Sequence, residues 1–117
     1  MFIILPKSRP KFNKHTFTKK EFIQVFESIY KFSKEKDSNL YFVYLPNYPR
    51  YKFKNYKNYL KEIKNIVEDY NVNFIDIHNE IFLKEKDPLS LYPFRTEGHY
   101  TPEAYHKIAK LIFEKIN

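Results

Sequence analysis

Residues 40–46 read Leu-Tyr-Phe-Val-Tyr-Leu-Pro, six strand formers in an unbroken run that ends at Pro46. A strand with one face in water alternates polar and apolar positions, whereas a run without a charged position fits a strand covered on both faces. The stretch therefore predicts a central strand of a parallel sheet. Working outward, Asn73 to Ile77 (Asn-Phe-Ile-Asp-Ile) has the same character and predicts a second short strand. Between the two, Tyr56, Tyr59, Leu60, Ile63, Val67 and Tyr70 recur every three or four residues and predict an amphipathic helix closed by Asn71. On the amino-terminal side, Phe22, Phe26, Ile29 and Tyr30, with Val25 and Phe32 beside them, predict a helix from Lys19 to Lys36 that Asp37, Ser38 and Asn39 stop. On the other side, a short helical segment is expected near Asn79 to Lys84, then a long irregular connection from Asp87. Thr101 is a natural N-cap, Pro102 suits the first helical position and Glu103 faces the positive end of the dipole. The stripe Tyr105, Ile108, Ala109, Ile112, Phe113 and Ile116 should form the buried face of that last helix. Helices alternating with fully apolar strands imply an open α/β sheet of two or three parallel strands with helices packed on it.

With 117 residues, 43% hydrophobic and 20% aromatic, the chain has the core of one small domain and is not a disordered segment. Cysteine is absent, which excludes disulfides, thiolate metal sites and a cysteine nucleophile. Phe2 to Leu5 is a short apolar run cut by Pro6, well below a membrane span or signal-peptide core, so a soluble chain is expected. The net charge of +7 is concentrated at one end: residues 1–20 hold six bases and no acid, while the other 97 hold 15 bases against 14 acids. The division expected is a basic arm over 1–20, with Phe2 to Leu5 as an extra strand, and an α/β domain over 21–117. A nearly neutral body argues against specific nucleic-acid binding.

In an open parallel sheet the ligand crevice lies beyond the carboxyl ends of the strands. Three segments meet that condition. The first, Pro46 to Lys54, alternates aromatic and basic side chains, and Asn47, Tyr48 and Arg50 are its candidates for meeting a polar or anionic substrate. A small binding module, using the basic arm and this Tyr/Lys loop on an anionic partner, is the alternative function that the same residues support. The second holds Asp76 and His78, which share a face if the strand continues; Asp76 could equally cap the next helix. His15 and His106 offer these two no recognisable metal-ligand spacing, and no metal or cofactor is expected. The third, Tyr92 to Tyr105, contains Gly98, the only glycine of the chain, directly before His99. A sequence that otherwise avoids glycine is expected to keep this one for a positive φ or a close approach.

The run Gly98-His99-Tyr100-Thr101-Pro102-Glu103-Ala104-Tyr105, with Ile108 and Ala109, resembles the final block of the SGNH/GDSL hydrolases, in which an Asp-x-x-His motif leads into a helix. The two strand units upstream are similar to those that precede that block, so the resemblance covers about Glu21 to Asn117. It implies the carboxyl-terminal half of a flavodoxin-like, three-layer parallel-sheet domain. It also implies ester hydrolysis or O-acyl transfer on a small-molecule or glycan ester, with His99 as general base and Tyr100 beside it at the substrate. The orienting acid falls at position 96, which is Thr96 here, leaving Glu97, Asp87 or Asp76 for the role. Ser8, Ser28, Ser33, Ser38 and Ser90 all lack the Gly-Asp-Ser context. The chain is thus expected to be inactive by itself and to meet a complementary polypeptide or to self-associate through the Leu40 to Leu45 edge.

Overall fold

The computed structural model describes residues Thr18–Asn117, so Phe2 to Leu5, Ser8, His15 and most of the basic arm lie outside the described residues. Within them the chain is mixed α/β, with five α-helices and a two-stranded parallel sheet. The order is α1 (Lys19–Glu35), β1 (Tyr41–Tyr44), α2 (Pro49–Lys52), α3 (Leu60–Asp69), β2 (Asn73–Asp76), α4 (Ile77–Glu80) and α5 (Pro102–Ile116), with three 3-10 turns between α4 and α5. β1 and β2 are neighbours in the sheet, and the connection through α2 and α3 is the long crossover that parallel pairing requires. No helix of the described residues is long and apolar enough to cross a membrane.

The chain divides into two compact units, one containing Tyr59–Phe74 and the residues up to Val43, the other Tyr44–Asn58 and Ile75–Asn117. In the first, α1 and α3 are in contact and the core is aromatic. Phe26 is fully buried, its ring edge-on to Phe42 at 6.2 Å and to Tyr70 at 5.2 Å, while Phe42 stacks on Phe74 at 5.3 Å. Ile63, Ile66 and Val67 supply the buried face of α3.

Both of these helices end in the same way. Asp37 (φ 51°) and Asn71 (φ 57°) adopt the left-handed conformation. After α1, the N–H of Asp37 donates to the Lys34 carbonyl and that of Ser38 to Ser33. After α3, Asn71 donates to Glu68 and Val72 to Val67. These are Schellman caps, a position most often held by glycine, and Asp and Asn tolerate it best among the other residues. Each cap turns the chain toward the strand that follows it.

In the second unit the core is again built from rings. Tyr51 lies flat against Phe82 (centroids 5.2 Å apart, 9° between planes), and Phe82 meets Tyr92 at 5.8 Å and Tyr100 at 5.3 Å. Ile77, Ile81, Leu91, Ala104 and Ile108 complete it.

Several expectations change in detail. The helix expected from Tyr56 begins only at Leu60, its first main-chain bond running from Ile63 N–H to the Tyr59 carbonyl. Tyr56 instead accepts a hydrogen bond from Asn47 Nδ2 at 3.0 Å, which ties the preceding loop across its base. That loop holds a single helical turn, α2, with Pro49 in its first turn. Of the stripe expected on α5 only Ile108 is buried, joined by Ala104 outside it, while Ala109, Tyr105 (48%) and Phe113 (66%) are exposed. On α1, Val25 (58%) and Phe32 (46%) likewise face water. The buried arc of each helix is narrower than its apolar arc. Replacing Phe26 by Ala should lower unfolding free energy by about 3–5 kcal/mol, whereas Val25→Ala, one residue away, should change it by less than about 0.5 kcal/mol; denaturant titration of both variants measures the contrast.

Candidate active site

Tyr44 closes β1 and Asp76 closes β2, so the residues just beyond them stand at the carboxyl ends of the strands, where a parallel sheet places its ligands. Two residues past β1, the carbonyl oxygen of the buried Pro46 accepts hydrogen bonds from two phenols, Tyr92 Oη at 3.2 Å and Tyr100 Oη in a shorter contact. Both rings are buried, and burial pushes both hydroxyls well above the ordinary tyrosine range, so they remain donors at any physiological pH. The segment that carries His99 is thereby pinned to the exit of β1. A second tie runs from Thr101 N–H to the Leu91 carbonyl at 2.9 Å.

Gly98 has φ +147°, and a Cβ placed on it would meet nothing within 4 Å. Of the two reasons a lone glycine is kept, conformation is therefore the one that applies, not space. His99 follows, exposed, with Nδ1 2.9 Å from the carbonyl oxygen of Tyr100. A carbonyl can only accept, so Nδ1 carries a proton and Nε2 is the nitrogen left for another partner. Thr101 then caps α5 by accepting from Ala104 N–H at 3.1 Å, with Pro102 and Glu103 in the first turn as the sequence predicts.

The acids expected to orient His99 are placed elsewhere. Asp87 is paired with Arg95 Nη1, and Glu97 is exposed; neither is the partner of His99 Nδ1, which is the Tyr100 carbonyl. Asp76 accepts from Asn79 N–H at 3.0 Å and from Asn79 Nδ2 at 2.5 Å, the helix-capping role. β2 stops at Asp76, so the shared face expected of Asp76 and His78 does not form. His78 instead turns onto α2, where its Nδ1 lies 2.7 Å from Tyr51 Oη. Arg95 and the preceding Phe94 are both left-handed (φ 57° and 55°), with Phe94 96% exposed.

Of the loop residues singled out, Asn47 holds Tyr56, Tyr48 packs edge-on against Tyr92 at 5.5 Å, and Arg50 Nη1 donates to Tyr44 Oη at 3.1 Å. Each described serine hydroxyl donates to a main-chain carbonyl: Ser28 to Gln24, Ser33 to Tyr30, Ser38 to Lys36 and Ser90 to Asp87. Among the described residues no three of His, Asp and Glu converge to hold a metal ion.

The cluster of Tyr44, Tyr51, His78, Tyr92 and Tyr100 goes beyond what spacing revealed. Its only sequence signal is the alternation of rings and bases after Pro46 together with the Asp76-x-His78 pair. Within it, burial, reinforced by the Arg50 charge and opposed by Asp76, pushes His78 down to about 4, so this ring is neutral where an ordinary histidine begins to protonate. Compared with protein-family models, with curated proteins and with solved structures, the chain shows no significant match.

Two outcomes follow from this geometry. Either Tyr92→Phe or Tyr100→Phe leaves the Pro46 carbonyl one phenol and should cost about 0.5–1.5 kcal/mol, while the double variant orphans it and should exceed the sum of the singles by roughly 1–3 kcal/mol. A double-mutant cycle by urea unfolding reads this directly. For His78, the unfolded ring takes up a proton near 6.5 that the folded ring refuses until about 4. The stability it contributes is thus complete above about 6.5 and lost as pH falls toward 4. The stability difference between wild type and His78→Phe, measured by denaturation across that range, should shrink steadily on the acid side; a difference independent of pH would contradict it.

Proposed function

We propose that the chain is the base-bearing, carboxyl-terminal part of an SGNH/GDSL-like hydrolase, acting on the ester or O-acyl bond of a small molecule or glycan. In this reading β1, α3 and β2 belong to a flavodoxin-like, three-layer parallel sheet. The observation that carries the proposal is the pair of bonds made by Tyr100: its carbonyl accepts His99 Nδ1–H and its hydroxyl donates to the Pro46 carbonyl. One residue thereby selects the tautomer of the imidazole and fastens it beyond the end of β1.

The chemistry follows from that tautomer. As a serine Oγ attacks the acyl carbon, His99 Nε2 accepts its proton; the imidazolium then returns the proton to the departing alcohol, and water releases the acyl group by the same path. The Tyr100 carbonyl does part of what an orienting carboxylate does, since it holds Nδ1–H and faces the imidazolium with a partial negative charge. Lacking a full charge, it stabilises the imidazolium less than an acid would. Asn47, Tyr48 and Arg50 form the side that meets the substrate, whereas Tyr100, expected there as well, is buried with its hydroxyl on the Pro46 carbonyl. The serine comes from a Gly-Asp-Ser block outside these 117 residues, because none of Ser8, Ser28, Ser33, Ser38 and Ser90 stands in that context.

The test is turnover of short aryl esters. The chain by itself should give none above buffer; mixed with a Gly-Asp-Ser polypeptide it should give turnover that His99→Ala lowers by a factor on the order of a thousand, with partial rescue by added imidazole. Turnover by the isolated chain that depends on one of its own serines, or turnover of the mixture indifferent to His99→Ala, would overturn the proposal.

A further inference from the structure

Arg50 stands half-buried on α2. Its Nη1 donates to Tyr44 Oη at 3.1 Å, and its guanidinium lies 6.0 Å from the centroid of the same ring. No carboxylate pairs with it: the ion pairs among the described residues join Lys31 to Glu27, Arg95 to Asp87, Lys107 to Glu85 and Lys115 to Glu80, and residues 1–17 contain no Asp or Glu. Asp76, the acid whose charge reaches Tyr44, Tyr51 and His78, has one oxygen on Asn79 N–H and the other on Asn79 Nδ2.

Among the described residues, Tyr44, Tyr51 and His78, the groups on which the Arg50 charge acts, are neutral. Burial keeps the Tyr44 and Tyr51 hydroxyls protonated and His78 uncharged. A guanidinium has five N–H donors in a planar fork, and a partly desolvated one is expensive to leave without a counter-charge. Among the described residues a single hydrogen bond, to a phenol, occupies that fork. The complement of such a fork is an oxyanion with two oxygens in one plane.

We infer that Arg50, with Tyr44 beside it, anchors an oxyanion-binding site at the exit of β1, taking the carboxylate or phosphate group of a small ligand in a bidentate contact. As an anion site it stands by itself. As a substrate site it rests on the hydrolase reading and narrows it to esters that carry a negative group. The anion also offsets the Arg50 charge that helps to hold His78 neutral, so occupancy of Arg50 is legible at His78.

The test is an NMR titration of the isotopically labelled chain with inorganic phosphate and, separately, with acetate, at constant ionic strength. The Arg50 and His78 side-chain signals should shift saturably, and the protonation midpoint of His78 should rise from about 4 when the anion is bound. Arg50→Gln should raise that midpoint without any anion and abolish the saturable shift; Arg50→Lys should keep the midpoint low yet weaken binding by at least about tenfold, because a point charge replaces the fork. Saturation by phosphate alone assigns a phosphoryl group, and by acetate alone a carboxylate. Shifts that stay linear in anion, or that are the same in wild type and a folded Arg50→Gln variant, overturn the site. The two proposals separate cleanly. Saturable binding at Arg50 with no His99-dependent turnover would remove the hydrolase and leave the anion site. His99-dependent turnover at equal kcat/KM for neutral and anionic esters, without saturable binding, would do the reverse.

Discussion

The carbonyl of Pro46 is the point on which the candidate site depends. It ends the segment that leaves β1 and accepts the hydroxyls of Tyr92 and Tyr100, 46 and 54 residues further along the chain. Pro46 lies beyond the last residue of β1, so the ladder does not fill its carbonyl, whose lone pairs must find donors once the residue is buried. Two phenols fill them, and each brings a large ring into the core of its unit. Tyr92 and Tyr100 meet each other at 5.4 Å and share Phe82. The same contacts that satisfy a backbone acceptor therefore build the aromatic core and set the position of the residue next to Tyr100, which is His99.

A chain with one glycine must solve its turns with other residues. Asp37 and Asn71 take the left-handed cap positions after α1 and α3, and the single glycine is kept for φ +147° immediately before His99. Phe94 and Arg95 hold left-handed backbone only a few residues earlier, with Arg95 fastened to Asp87. Four of the five positive-φ residues among those described are thus not glycine, and two of the four lie in the loop that delivers the histidine. Backbone strain is concentrated where the candidate chemistry is.

The elements were legible wherever one signal acted locally. The strand over the apolar run of Leu40 to Leu45, the three-to-four spacing of α3 and the Thr101-Pro102-Glu103 start of α5 all read correctly, because strand burial, helix period and capping are short-range; the central place expected of that strand is not shown, since among the described residues β2 is its one neighbour. What depended on distant partners was not legible. Tyr56 fits the period of α3, yet its hydroxyl belongs to Asn47 and the helix starts four residues later. Tyr105 and Phe113 fit the stripe of α5 but face water, since period tells which side is apolar and not how much of it is covered. At the site, Gly98 and His99 stood out by composition. The partner of His99 did not, because a search for an orienting acid looks only at side chains, and the partner is a main-chain carbonyl. His78 illustrates the opposite limit: its spacing from Asp76 was visible, but its engagement with Tyr51 follows from β2 stopping at Asp76.

His78 and His99 are consequently different groups. His78 is buried against Tyr51 and near Arg50, and is held neutral far into the acid range; it supports structure. His99 is exposed, with one nitrogen committed to a carbonyl and the other available to a proton. The tautomer of His99 is the direct measure of that distinction. In the ¹⁵N-labelled chain above about pH 8, where imidazole is neutral, long-range ¹H–¹⁵N correlation should show His99 protonated at Nδ1 with the unprotonated shift at Nε2, and should lose that preference when Tyr100 is unfolded from Pro46 by denaturant. A His99 ring protonated at Nε2, or an even mixture of tautomers in the folded chain, would contradict it.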